Sequence, residues 1–592
     1  MVNYSDDPAA TDAAGVKFRD EQARQALAGH LDVLCGGQTD APGGVVRVKA
    51  NASRTVYTCT LDGQRYYLKR FHSRDLGHRL AARLRGDDAF RELDLSAHLR
   101  RRGVAAIDVL AAGRRGRTTW NLSRDAGSTS VDRWHDARFG DAAARGEVRR
   151  LLGRTARLIG AMHAAGVVHR DLHTGNILLD DGGRPVLADL HSAARRRRLP
   201  RLARAKNLAQ LAYDRFHATT RTDRLRFLKA YLQAAGAAGT LRGWARLVGG
   251  LTESHARRLL ADRDRRSGRT NRYFAALRLG DGWRGRVVLA SKRRPPFSRA
   301  AAANFTAKDW RAVLARPEAL LDGDGVQPVK VSRSVTLVRR RLAIGPHSVD
   351  VYIKRQAPRR AVKALAGLLR PSRAMQAFRL GHALLARRLP TALPLAALEQ
   401  RRGRRLRASI LITEAVDPGV TVRQYAGRLG AMPHRRRWAW AERLARLVRD
   451  LHNAGFSHRD LKDTNLLVAG TGPDEDLVLI DLDGLRRHRR VPWGRRLQGL
   501  MRINTATAPY AAVTRTDRLR ALRTYLRGAA GAGTSCRPWW WNLQRRTARK
   551  LARRRRRQAP PAASSASADG SGTDQAASRS AWKSSATGEP SP

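Results

Sequence analysis

Two short stretches of this 592-residue chain hold the residues best suited to chemistry. The first is His169-Arg170-Asp171, with Asn176 five positions after the aspartate; the second is His458-Arg459-Asp460, with Asn465 at the same spacing. Downstream of each, a short apolar run ends in an aspartate, Asp189 in VLADLH and Asp481 in LIDLDG. Upstream, Lys69 in YYLKRF and Lys354 in VYIKR sit in strand-like segments. Phosphoryl transfer needs a carboxylate to take or orient a hydroxyl proton, hard oxygens for magnesium, and a cation for the phosphates. Asp171 and Asp460 suit the first role, Asn176 with Asp189 and Asn465 with Asp481 the second, and Lys69 and Lys354 the third. Glu92, in the helical stretch after Lys69, is the acid that can pair with that lysine. His169 and His458 are expected to be structural members of their loops rather than proton carriers.

These residues come in pairs because the chain repeats itself. HAAGVVHRDLHTGNILL from His163 recurs as HNAGFSHRDLKDTNLLV from His452, with His, Gly, His, Asp and Asn all displaced by 289 positions. TRTDRLRFLKAYL from Thr220 recurs as TRTDRLRALRTYL from Thr514, and a looser match joins the segments ending at Phe71 and Arg355. Three blocks in one order mean two copies of a domain of about 200 residues. In the first copy 46–60 and 65–71 read as strands joined by an Asp62-Gly63 turn, and 89–101 as a helix. Leu151, Leu152, Leu158, Ile159 and Met162 then line one face of a helix entering the loop, as do Trp440, Leu444, Leu447, Val448 and Leu451 in the second copy. Apolar runs at 177–179 with 186–190, and at 466–468 with 477–482, predict a β-hairpin beside each site. The expected organisation is an N-terminal tail and helix (1–41), a first domain (42–245), a connector (246–325), a second domain (326–545) and a basic, then disordered tail (546–592). The connector reads as a basic helix, a hairpin at Gly280-Asp281-Gly282 and a helix over 307–314, in part an extension of the second domain.

In their order of lysine, base, asparagine and aspartate, both copies match the protein-kinase signature set. They resemble the lipopolysaccharide core kinase family (Kdo/WaaP type), bacterial relatives of protein kinases. VLADLHSAARRR is similar to that family's magnesium-binding segment, where DLH replaces DFG; HRDLKDTNLLV and LIDLDGLR resemble it with a more protein-kinase-like loop. The resemblance covers 42–245 and 326–545. It implies an α+β fold of two tandem bilobal protein-kinase-like domains, with ATP and Mg2+ as cofactors. It also implies transfer of the γ-phosphoryl group to a hydroxyl of a lipopolysaccharide core sugar, heptose or Kdo, at the cytoplasmic face of the inner membrane. A Ser/Thr protein kinase, a small-molecule phosphotransferase and a tandem pseudokinase scaffold are the alternatives within the fold. Neither copy has a GxGxxG loop; the corresponding hairpins carry Asn51, Ser53 and Arg54, or Ser332, Arg333 and Ser334. Alignment puts Ala377 opposite Glu92 with the nearest acid distant, which ranks the first copy above the second for catalysis.

Lys plus Arg number 115 against 50 Asp plus Glu, a net charge of +65. Such a chain is drawn to nucleic acid, anionic lipid and phosphorylated substrates. The arginines recur along the whole length, so much of the excess is compositional. No helix-turn-helix, zinc-ligand or aromatic-sheet signature is present, and nucleic acid is not an expected partner. Cys35, Cys59 and Cys536 are too few for a disulfide framework or a zinc site, which fits a reducing compartment. No run of about 18 apolar residues and no secretory signal is visible, so a cytoplasmic protein with possible peripheral membrane contact is expected. RPWWWNLQRRTARKLARRRRR, from Arg537, reads equally as a helix on an anionic membrane or as a domain helix with its tryptophans in the core. Arg195 to Arg198 read equally as a grip on an anionic substrate or as a solvated loop.

Overall fold

The computed structural model describes residues 15–30, 45–50, 54–72, 86–138, 141–291, 298, 300, 303–357, 371–403, 405–470, 475–530 and 535–558. The chain divides into two compact units, Met1–Arg263 and Asp264–Pro592.

The first unit opens with an antiparallel sheet of β1 (Lys17–Phe18), β2 (Val46–Ala50), β3 (Arg54–Leu61), β4 (Gln64–His72), β5 (Val109–Arg115) and β6 (Thr118–Arg124), in the order β1-β5-β6-β4-β3-β2. The β3–β4 turn uses Asp62 and Gly63, both at positive φ, as a tight hairpin requires. The single strand expected over 46–60 is two strands, and residues 51–53, with Asn51 and Ser53, lie outside the described residues. The N-terminal segment is part of this unit: β1 pairs with β5, and Val16, Phe18, Ala23 and Leu27 are buried with Leu68, Leu110, Trp120 and Leu122. The helix expected within 1–41 is described as Glu21–Leu27 with a 3-10 turn to His30; residues 31–44 lie outside the described residues.

Helices follow. Asp88–Arg101 buries Ala89, Glu92, Leu93 and Leu99, and Arg145–Ala164 buries Leu151, Leu158, Ile159 and Met162 of the expected face. Two short sheets frame the loop after that helix: β7 (Thr129–Ser130), β9 (Ile177–Leu179) and β10 (Pro185–Leu187) form one, β8 (Val167–His169) and β11 (Ala193–Arg195) the other. Helices Arg201–Arg215 and Arg221–Ala234 follow, and the helix Leu241–Arg266 carries the chain to the division after Arg263. The recurring TRTD is a helix start: the Thr220 hydroxyl accepts from the Asp223 N–H while the Asp223 carboxylate accepts from the Thr220 N–H, and Thr514 and Asp517 repeat the capping box.

The second unit has a seven-stranded sheet. It comprises β12 (Phe274–Arg278), β13 (Trp283–Val288), β14 (Gln327–Ser332), β15 (Val335–Ile344), β16 (His347–Gln356), β17 (Pro394–Arg402) and β18 (Arg405–Glu414), ordered β12-β13-β17-β18-β16-β15-β14. The hairpin read in the connector is β12–β13, which extends this sheet through β17. Helix Ala307–Val313 anchors it with the fully buried Trp310, whose Nε1 donates to the Val288 carbonyl at 2.8 Å. Beyond the helix Arg373–Ala386, the small sheets recur as β19 (Gly419–Thr421), β21 (Leu466–Ala469) and β22 (Asp476–Leu479), and as β20 (Phe456–His458) with β23 (Leu485–Arg487). Helix His434–Asn453 buries Trp440, Leu444, Val448 and Leu451, with Leu447 partly covered.

The last described helix, Arg537–Gln558, takes in the basic run expected to begin the tail; residues 559–592 lie outside the description. Its tryptophans divide: Trp539 is buried against Trp493 and Tyr525, whereas Trp541 is 65 % exposed. Among the described residues no helix is long and apolar enough to cross a membrane.

Candidate active site

In the first unit the turn after β8 presents Asp171, and β8 is held by β11 and by Asn207. Asn207 accepts from the His169 N–H at 3.0 Å and donates to the His169 carbonyl at 2.8 Å. His169 is fully buried, with Nε2 3.1 Å from the Ala188 carbonyl, and burial pushes its pKa down. A neutral ring bonded to backbone braces the loop. Gly166, just before β8, has φ +76, and a Cβ there would lie 2.7 Å from the Arg196 carbonyl oxygen; Gly455 in the second unit is held in the same way by the His488 carbonyl. That is why glycine recurs in both copies.

The Asp171 carboxylate is exposed and lies 3.7 Å from His173 Nε2. The nearby His173 ring holds Asp171 below the usual carboxylate range, and Asp171 raises His173. Asn176 donates its side-chain N–H to the Asp171 carbonyl at 2.9 Å, which leaves the amide oxygen as the atom able to ligate a cation. Asp189 stands in the left-handed region at φ +61, a conformation that costs a non-glycine residue on the order of 1 kcal/mol. Its Oδ1 meets His191 Nδ1 at 2.9 Å, Lys69 Nζ at 3.8 Å and Arg54 Nη1, while Arg54 Nη2 donates to Oδ2 at 3.0 Å. Burial opposes its charge, but the His191 bond, Lys69 and Arg54 outweigh burial and hold it far below the usual range. An ionised aspartate with an amide oxygen is a donor set that suits Mg2+, and Arg54 and Lys69 occupy the same carboxylate as cations.

Lys69 Nζ lies 2.7 Å from Glu92 Oε1. Glu92 is fully buried and also accepts from Asn121 Nδ2 at 2.9 Å and from the Leu190 N–H at 3.0 Å. Burial alone would raise its pKa; the Lys69 charge brings it below the ordinary value. Asn121 and His191 were not singled out from the sequence, although a lone Asn within the buried run of β6 was a signal for Asn121. Arg195 to Arg198 are exposed, with Arg195 ending β11.

The second unit repeats the loop with different partners. His458 Nε2 bonds the Asp481 carbonyl at 2.9 Å, and Asn465 donates to the Asp460 carbonyl at 2.8 Å. Asp460 is flanked by Lys462 at 3.3 Å and Arg502 at 3.4 Å. Asp481 is again left-handed, at φ +56. Ala377 is buried on the helix Arg373–Ala386, as the alignment with Glu92 expected, but the nearest acid is not distant. Lys354 Nζ lies 2.6 Å from Asp481 and 2.6 Å from Asp483. Asp483 occupies the third position of DLD, where the first unit has His191 of DLH. Neighbouring positions change with it: Phe71 sets its ring 5.8 Å from His191, while Gln356 donates to Asp483. The lysine's second carboxylate has thus moved from the helix to the turn after β22. Burial opposes the Lys354 charge, but Asp483 and Asp481 raise its pKa; Asp481, also opposed by burial, is lowered by Lys354. Arg54 pairs across the sheet with Phe71 and Val335 with Gln356, so the Arg54 position holds an apolar residue here. Ser332, Arg333 and Ser334 sit at the β14–β15 turn, where the Ser332 hydroxyl accepts from the Val335 N–H.

Behind each loop a buried histidine meets a tyrosine hydroxyl: His163 Nδ1 and Tyr231 at 2.8 Å, His452 Nδ1 and Tyr525 at 2.9 Å. Burial pushes these rings down to about 4 and about 3, from 6.5. Folded-state values below the unfolded one mean that the unfolded chain binds more protons once the pH drops under 6.5, so stability falls from there down through the folded values. Each ring should contribute about 3 kcal/mol to that loss by pH 4. Urea unfolding at stepped pH should show the decline, and H163Q/H452Q should make it shallower, with buried His382, pushed down to about 4, keeping part of the slope; a pH-independent wild type from 7 to 4 would contradict this.

A sheet followed by helices, with a lysine, a loop aspartate, an asparagine and a left-handed aspartate, therefore occurs in each unit, in a chain of mixed helix and strand. Residues 47–231 and 345–525 match the lipopolysaccharide kinase (Kdo/WaaP) family, and since these spans exceed half of the chain, the protein belongs to that family. It is 40% identical over 93 residues to the lipopolysaccharide core heptose(I) kinase WaaP of Pseudomonas aeruginosa, covering 14% of this chain and 35% of the relative. It is 38% identical over 133 residues to the 3-deoxy-D-manno-octulosonic acid kinase of Stenotrophomonas maltophilia, covering 22% of this chain and 49% of the relative. The chain thus spans between a third and a half of the length of these curated relatives.

Proposed function

We propose that this protein is an ATP-dependent phosphotransferase that phosphorylates a hydroxyl of a lipopolysaccharide core sugar, heptose or Kdo. The observation that carries the reading is the double occurrence, in a member of this family, of a loop aspartate bonded through its backbone to an asparagine, close to a left-handed aspartate kept charged by a lysine. The proposed architecture is two tandem bilobal kinase-like domains, within 42–245 and 326–545. The N-terminal strand β1 and the hairpin β12–β13 add to the first and second sheets respectively.

In the proposed mechanism Asp171 and Asp460 orient the attacking hydroxyl and take its proton. Lys69, set by Glu92, and Lys354, set by Asp483, hold the nucleotide phosphates. Asn176 with Asp189, and Asn465 with Asp481, would hold Mg2+, which supplies charge neutralisation at the phosphates. The Lys354–Asp483 contact supports a working second site and removes the reason for ranking it below the first. Exposed Trp541 and the basic run of the last helix support a peripheral contact with anionic membrane at the cytoplasmic face of the inner membrane.

The test is incubation of the full chain with labelled ATP, magnesium and three acceptors: core oligosaccharide, a protein mixture and aminoglycosides. Label is expected in the core sugar. Label in protein or aminoglycoside, and never in the core, rejects the reading.

A further inference from the structure

In the second unit the loop aspartate opens into a cavity of about 430 Å³ with an unusual charge balance. Five cations and two carboxylates line it. One wall is internally neutralised: Asp463 accepts from Arg423 at 3.0 Å and from the Tyr510 hydroxyl at 2.5 Å. The other side is not. Asp460 is the carboxylate for both Lys462 and Arg502, and the last helix adds Lys550 and Arg554, one turn apart and, among the described residues, in no ion pair. Arg502 Nε is buried with no hydrogen-bond partner in the description. Burial and the charges of Arg502 and Arg554 outweigh the attraction of Asp460 and push the Lys550 ammonium below its ordinary range, a cost that an anion among them would reverse.

The first unit serves as an internal control against general arginine bias. Its helix Leu241–Arg266 aligns with Arg537–Gln558 through two landmarks. Trp244 and Trp539 are buried edge-on to Tyr231 and Tyr525, and Thr252 and Thr547 are buried and bonded to carbonyls four residues back. That alignment sets His255 and Leu259 at the places of Lys550 and Arg554. Asn207, bonded to His163 Nε2, corresponds to Gly499, where a Cβ would lie 3.1 Å from His452 Nε2; this sets Gln210 at the place of Arg502. His173 stands for Lys462. Lys462, Arg502, Lys550 and Arg554 thus have no lysine or arginine counterpart at the matching positions of the first copy.

We propose that this cavity is the acceptor site of the second copy and takes a sugar that already carries an anionic group, a phosphate or a carboxylate, held by Arg502, Lys550 and Arg554 so that a neighbouring hydroxyl lies against Asp460. This rests on the functional reading above and deepens it, because the two copies then serve different acceptors. In the transfer, the acceptor hydroxyl gives its proton to Asp460 as its oxygen bonds the γ-phosphorus of ATP. The bond from that phosphorus to the β–γ bridging oxygen breaks, and ADP leaves with the electron pair.

The test uses the full chain carrying D171N, so that only the second copy transfers. In K550Q/R554Q the KM for core oligosaccharide should rise about tenfold or more with kcat within about twofold, because a charge-assisted grip on the acceptor is lost. Lys550→Arg should retain the wild-type KM, and unchanged unfolding midpoints would show that the variants fold. Phosphatase-treated and carboxyl-reduced oligosaccharides identify the anion: one treatment should raise the KM of the parent as much as the double variant does. An unchanged KM in K550Q/R554Q, or no loss with either treated acceptor, overturns the proposal. If no core acceptor is phosphorylated at all, the functional reading fails, and equilibrium dialysis with labelled inorganic phosphate, under saturating Mg2+–ADP, decides the cavity separately. Phosphate binding that is lost in K550Q/R554Q sustains the anion site; equal or absent binding overturns it.

Discussion

Replacing Asp171 and Asp460 together by asparagine should lower phosphoryl transfer by about 10³-fold with little loss of stability. A positioned general base contributes about 10² to 10⁴ in rate, and asparagine keeps the shape while removing the basic oxygen. The Asp171 side chain is 64 % exposed, and the loop is braced through its backbone: Asn176 and Asn465 bond the carbonyls of Asp171 and Asp460, not their carboxylates. The unfolding midpoint should therefore fall only slightly, through loss of the partly exposed pairs of Asp171 with His173 and of Asp460 with Lys462 and Arg502. Each single variant should lose one product and keep the other, so the assay must resolve products. Full activity in the double variant would remove both aspartates from the mechanism. Full activity in D171N with none in D460N would make the second copy the sole enzyme.

Glu92→Gln should be the most damaging single change in the first unit. Glu92 is fully buried and holds three donors, Lys69, Asn121 and the Leu190 N–H. Glutamine keeps the volume but withdraws the charge facing Lys69 and brings an N–H toward groups that already donate. Breaking a buried pair on one side costs about 3–5 kcal/mol, and Lys69 keeps only the longer contact with Asp189. A clear drop in the unfolding midpoint of the first unit and a rise in its KM for ATP are expected. Asp483→Asn in the second unit should be milder, because Lys354 retains Asp481 at 2.6 Å. Equal effects of the two variants would show that the helix and turn carboxylates do not play the parts assigned to them.

That contrast also marks where sequence reading stops. The repeat, the loop residues, the paired lysines and the faces of the two helices entering the loops were legible because each depends on spacing along a few turns of chain. The capping boxes explain a repeated TRTD that had stood only as a sequence match. Strand limits were less legible: the break between β2 and β3 depends on pairing across the sheet, and the hairpin β12–β13 shows its allegiance only through β17. The last helix could not be assigned from its pattern, since three adjacent tryptophans read alike for a membrane and for a core, and the fold buries Trp539 while exposing Trp541.

Two copies of one domain, each with residues suited to phosphoryl transfer, could be read along the chain because those residues keep a fixed order and local spacing. Their neighbours become visible only in the folded chain. Glu92 and Asp483 reach equivalent lysines from different elements, and Lys550 and Arg554 reach the Asp460 cavity from a helix some 90 positions away in the chain. Charge acts through space, and a carboxylate or an arginine serves a site from wherever packing carries it, which no alignment of one segment with another displays.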